Sequence, residues 1–191
     1  MRTVFACFLD NDTELMEKHW LNRAAAAVAP SAGDQVPKIH VELFFPNNDD
    51  GSSEVVKGQA CSIHYNNKVF LANKRFSRVQ WTFRSMQLND EQYEKVYKYC
   101  EAHVGCSFNH VGYFLQPVNK YINIKYDWPS NFGDYKPRFF CSEICIEALK
   151  AGGVLPDGCK SNIHPQEMFK LLEDGTTRGC VRDMNQLAFN F

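Results

Sequence analysis

The sequence predicts an α+β domain in which a small antiparallel sheet packs against helices. Three observations lead to that expectation. Short apolar or alternating segments bounded by turn residues recur at 3–9, 38–45, 59–65, 68–71 and 78–84, as strands do. Elsewhere apolar residues fall at helical spacing behind capping signals. No repeat, linker or low-complexity tract divides the chain, so residues 1–191 are expected to form a single domain.

Taken in order, Thr3 to Leu9 reads as a short buried strand. Asn11 and Glu14 then form a capping box, and the helix it opens carries Leu15, Met16, His19, Trp20 and Ala24 as far as Ala29, where Pro30 stops it. Ser31 to Pro37 is a turn-rich loop. Lys38 to Phe45 is a strand, and Pro46 to Gly58, with Asn47-Asn48-Asp49-Asp50-Gly51 at its centre, reads as a hairpin loop. Strands are expected at Gln59 to Tyr65, Lys68 to Leu71 and Arg78 to Arg84. Asn89 and Asp90 cap a second helix with its apolar stripe at Tyr93, Val96, Tyr97, Cys100 and Val104. Ser107 to Pro137 is irregular and rich in aromatics. A third helix runs from Cys141 to about Ala151, burying Ile144, Cys145, Ala148 and Leu149, and stops at Gly152-Gly153. His164-Pro165 starts a fourth, with proline at its first position and Met168, Phe169, Leu171 and Leu172 turned inward.

Composition narrows the function. Hydrophobic residues make up 45% and aromatics 14% of the chain, enough to bury a substantial core. The net charge of −1, without any basic run, gives no footprint for capturing nucleic acid or an anionic membrane. No apolar stretch reaches the roughly 18 residues of a transmembrane helix. The start of the chain has too short an apolar run for a signal peptide, so a cytoplasmic protein is expected. Its eight cysteines are even in number, but a chain this size has no need of a disulfide framework, and most read as small buried hydrophobes.

Cys141 is the exception. It opens a helix, where unpaired backbone N–H groups carry about half a positive charge and favour a thiolate over a thiol. A structural cysteine gains nothing from that position, although cysteines near helix starts are more often structural than catalytic. A cysteine nucleophile needs a base and usually an orienter for that base. Of the six histidines (19, 40, 64, 103, 110 and 164), His19 has an adequate reading on the first helix and His164 as a helix cap. His40 stands out in an otherwise apolar strand. Alternation puts His40 and Glu42 on one face and Ile39, Val41 and Leu43 on the other. If 46–58 closes an antiparallel hairpin, Phe45 faces Gln59, and the same register carries His64 opposite His40, roughly 5 Å away at Cβ. A slip of one residue would turn His64 to the other face. His64 is thus one orienter, and Glu42, two residues along the strand from His40, is its rival.

The combination of Lys38-Ile39-His40-Val41-Glu42-Leu43-Phe44-Phe45 with Phe139-Phe140-Cys141-Ser142-Glu143-Ile144-Cys145 resembles the circularly permuted papain-like enzymes of the NlpC/P60 superfamily. There a histidine strand precedes the nucleophile helix. Ser107 to Tyr113 is similar to the family's aromatic-glycine segment, and Asn162 to Leu172 to its following helix, so the likeness spans about residues 38–173. The resemblance implies a permuted papain-like fold, a nucleophile at Cys141, a base at His40 and a polar third residue near His64. Glu42 stands where many members have glycine. The family includes bacterial, animal and large-DNA-virus proteins.

Two other patterns carry less. Cys100, His103, Cys106 and His110 are metal-ligating types, but they straddle a helix end with Cys100 in the buried stripe, so no zinc site is expected there. Tyr113 to Tyr135 is placed to line a cleft or to form a satellite core, and Tyr113 or Tyr135 is a possible oxyanion donor beside the Cys141 backbone N–H. The expected function is cofactor-free thiol hydrolysis or acyl transfer on an amide (peptide, isopeptide or cell-wall peptide). A lipid ester or amide is the second substrate class. The rival from another class is a non-catalytic structural or interaction protein on the same fold, such as a virus-particle component, which would be virion-associated.

Overall fold

The computed structural model describes residues 1–10, 36–47, 54–65, 67–110 and 137–172. Five strands, β1 (Arg2–Asp10), β2 (Lys38–Pro46), β3 (Val55–Ser62), β4 (Phe70–Ser77) and β5 (Trp81–Leu88), form one sheet in the order β4-β3-β2-β1-β5. Every pairing is antiparallel. Three helices are described: α1 (Asp90–Ala102), α2 (Cys141–Ala151) and α3 (Pro165–Leu171). The chain is therefore α+β. The expected first helix, 11–29, and most of the aromatic segment, including Tyr113 and Tyr135, lie outside the described residues.

The hairpin register is the expected one, with Phe45 opposite Gln59 and Leu43 opposite Cys61. Several strand boundaries differ from expectation: β3 ends at Ser62 and not at Tyr65, β4 starts at Phe70 and not at Lys68, and β5 ends at Leu88 and not at Arg84. Three further differences have a local cause. β3 begins at Val55 instead of Gln59, because Val56 and Lys57 pair with Phe76 and Arg75 of β4 beyond the end of β2. β4 runs to Ser77 and not to Leu71. Its Ala72-Asn73-Lys74-Arg75 stretch lacks apolar alternation because β4 is an edge strand, where exposed charges discourage further pairing. β5 starts at Trp81, since Arg78 to Gln80 form a turn in which the Gln80 N–H donates to the Ser77 carbonyl at 3.2 Å. α1 stops at Ala102, so Val104 falls past the helix and is exposed.

The sheet is strongly curled. Laid flat, five strands about 4.8 Å apart would separate β4 from β5 by about 19 Å. The three-residue turn joining them spans at most about 14 Å. Side chains from the two edges accordingly meet: Phe76 of β4 lies edge-on to Trp81 of β5, ring centres 4.8 Å apart. The concave side holds Phe5, Cys7, Phe44, Val56, Ala60 and Phe76. The convex side holds Val4, Phe8, Val41, Leu43 and Phe45 and is covered by the helices. β2 lies between two apolar layers, and Lys38 to Phe45 are all buried.

Local chemistry sets the helix ends. Asn89 and Gln92 form a capping box on α1. His164 caps α3 by accepting the Gln166 N–H at Nδ1, 3.1 Å, with Pro165 next. α2 closes in a Schellman motif: the Val154 N–H donates to the Leu149 carbonyl (2.8 Å) and the Gly153 N–H to that of Lys150 (2.7 Å). Gly153 takes the φ of +65° that this motif requires.

Gly58 sits between Pro46 and Lys74 in the ladder. A Cβ there would collide with the Phe45 carbonyl oxygen and lie 2.7 Å from the Pro46 Cα. Backbone atoms of a central strand cannot move aside, so Gly58→Ala should destabilise by about 2 kcal/mol or more. Gly158→Ala, where a Cβ meets nothing within 4 Å, is the neutral control. Equal urea midpoints for the two variants would refute this account of the hairpin.

Candidate active site

Cys141 is the first residue of α2, and the segment before it is pinned on both sides. Phe139 bridges Phe108 in parallel, and the Asn109 N–H donates to the Phe139 carbonyl at 2.8 Å. Phe140, the N-cap residue, has no capping side chain. Instead the Glu143 carboxylate reaches back to accept the Phe140 N–H at 3.3 Å and the Asn109 amide at 3.4 Å. Burial pushes the Glu143 carboxyl up to about 7 against the pull of those two donors. The Ser142 hydroxyl donates to the Ile163 carbonyl, tying α2 to the approach of α3.

α3 in turn positions β2. The Gln166 side-chain oxygen accepts the Lys38 N–H at 2.8 Å, and the Lys38 ammonium reaches Asp10 at 2.6 Å. Two residues on from this anchor, His40 meets Cys141. The sulfur lies close enough to raise the pKa of the imidazole, and the two residues are only 7% and 8% exposed.

The electrostatics of His40 are a contest. Burial works against a charged ring, but Cys141 and the Glu42 carboxylate outweigh it, and the His40 pKa rises to about 9. His40 Nε2 lies 3.3 Å from Glu42 Oε1. Glu42 has no exposed surface. Burial alone would raise its pKa, yet bonds from His40 and from the Lys74 ammonium (2.7 and 2.9 Å to its two oxygens) hold it below the usual carboxylate range. His64 stands against the other side of His40, with rings stacked 5.0 Å apart at 27°, and Phe70 stacks on its far face at 5.1 Å. Lost hydration, followed by the charge on His40, takes the His64 pKa down to about 4. Trp81 presents its ring edge-on to His40 at 6.3 Å.

All four residues singled out in the sequence, Cys141, His40, Glu42 and His64, therefore come together. Glu42 supplies the hydrogen bond to the imidazole, while His64 meets it face to face, a geometry that points no ring N–H along the line between them. The donor atoms of His40, Glu42 and His64 all lie within 4.8 Å of one another. The other described histidines are engaged elsewhere. His103 stacks on Tyr99, His110 packs on Tyr65 and Phe108, and His164 caps α3. Three site residues escaped the sequence reading. Lys74 was hidden in a polar edge strand and Trp81 was assigned to a misplaced one. The backward reach of Glu143 was signalled only by its position three residues after the N-cap.

No protein family matches the chain, and no curated protein or solved structure does. No helix among the described residues is long and apolar enough to cross a membrane.

Proposed function

We propose that the protein is a papain-like thiol hydrolase or acyltransferase acting through Cys141, His40 and Glu42. The observation that carries the reading is a buried Cys141 close enough to His40 to raise its pKa, with His40 Nε2 3.3 Å from the Glu42 carboxylate. With Nε2 turned to Glu42, Nδ1 is the nitrogen left for the sulfur. His40 takes the thiol proton, and the Cys141 sulfur attacks the substrate carbonyl. The resulting oxyanion is met by the backbone N–H of Cys141 at the positive end of α2. His40 then gives its proton to the leaving group, and a water activated by the same ring releases the acyl group. The burial of Cys141 and His40 strengthens the attraction between them. The helix start against a histidine-bearing strand supports the permuted papain-like arrangement. An amide is the bond we favour, with a lipid ester or amide second.

A thiol-reactive probe tests this. Three of the other cysteines offer a clear background: burial pushes the thiols of Cys7 and Cys145 up, and Cys61 is held up first by its hydrogen bond with Cys100 and then by burial. At pH 6, iodoacetamide should modify Cys141 about tenfold or more faster than the other seven cysteines, and His40→Ala should remove that preference. A Cys141 no faster than the rest would leave a non-catalytic interaction protein as the better description.

A further inference from the structure

We propose that His40, Glu42 and His64 form a site for a single zinc-like divalent ion, one that locks the histidine away from the thiol. Two imidazoles and a carboxylate are a donor set that zinc takes readily, with water in the fourth position. The geometry is nearly assembled. Ligands about 2.1 Å from a tetrahedral metal lie about 3.4 Å apart, and His40 Nε2 and Glu42 Oε1 are already 3.3 Å apart. All the donor atoms fall within 4.8 Å, so closing the set to that spacing needs a shift of at most about 1.4 Å. That shift belongs to His64, which lies beyond the last residue of β3 and is exposed, giving the ion an entry path. Lys74 is the opposing charge. Glu42 Oε2 can keep Lys74 at 2.9 Å while Oε1 turns to the metal, and the Lys74 side chain, 30% exposed on an edge strand, can also swing into water.

The ion would take the place of the proton between His40 Nε2 and Glu42. The ring then holds its one remaining proton on Nδ1, facing the sulfur, and cannot accept another, so the thiol is left without a base. That consequence rests on the hydrolase reading, whereas the binding itself does not. The test is calorimetric titration of zinc chloride into the full-length protein and four variants, with circular dichroism confirming that each is folded. The wild type should bind one equivalent. His64→Ala and the volume-conserving His64→Gln should each weaken binding about tenfold or more, and Glu42→Gln should do the same. Cys141→Ser should stay within about twofold of wild type, because Cys141 is not among the donors that gather there. Absence of stoichiometric binding, unchanged affinity in both His64 variants, or loss of binding in Cys141→Ser would each overturn the proposal. Because heat and stoichiometry are read, a failed zinc site and a failed hydrolase are told apart.

Discussion

Cys141→Ser should fold as the wild type does and lose turnover by about 10³-fold or more on any amide or ester that the wild type cleaves. The substitution keeps the size of the side chain and places serine at a helix start, so stability should stay within about 1 kcal/mol. The loss comes from chemistry. A hydroxyl gives up its proton far less readily than a thiol, and a His40 ring raised to about 9 by its anionic neighbours is suited to pairing with a thiolate. Cys145→Ser is the matched control. Cys145 lies one turn further along α2, wholly inside the core, with its thiol 3.9 Å from the Val41 carbonyl. A hydroxyl there finds an acceptor, and turnover should persist. Turnover by Cys141→Ser near the wild-type level, with its melting temperature unchanged, would remove Cys141 as the nucleophile.

Much of this site was legible in the sequence because it depends on local periodicities. Alternation along β2 put His40 and Glu42 on one face, and a loop closing between Phe45 and Gln59 set the register that carried His64 toward His40. The helix caps at Asn89 and His164 were equally local. What stayed hidden depends on contacts distant in sequence. The choice between Glu42 and His64 as orienter turns on the ring direction of a residue two places past the end of β3, where no ladder bond fixes the backbone. Lys74 comes from the far edge of a curled sheet, and the curl follows from β1 lying between β2 and β5, a pairing no local pattern announces. β4 was shortened for the same reason: the polar and mostly exposed Ala72 to Arg75 stretch of this edge strand carries no alternating apolar signal to read.

Glu42→Gln should lower turnover roughly 10²-fold and move the alkaline limb of activity to lower pH. The size follows from comparing nucleophiles. Replacing the orienting carboxylate by an amide in a serine-based triad costs about 10⁴, because the imidazole loses its tautomer and its counter-charge together. A cysteine thiol is more easily deprotonated than a hydroxyl and asks less of its base, so the smaller loss is expected. The direction of the pH change follows from His40. With burial opposing charge on the ring, Cys141 and Glu42 hold its pKa at about 9. The imidazolium is present below that value and is lost as pH rises through it. Removing the Glu42 charge deletes one of the two supports while burial still pulls downward, so the proton leaves earlier and the alkaline limb retreats toward neutrality. Lys74 loses its anionic partner, but its partly exposed ammonium can turn to water, so the variant should stay folded. Lys74→Met separates position from charge. It leaves Glu42 against the imidazole but removes the cation that helps keep the carboxylate ionised, and it should weaken activity less than Glu42→Gln. An unmoved alkaline limb in Glu42→Gln, together with wild-type turnover, would show that Glu42 is not the orienter, and stacked His64 would be the next group to test.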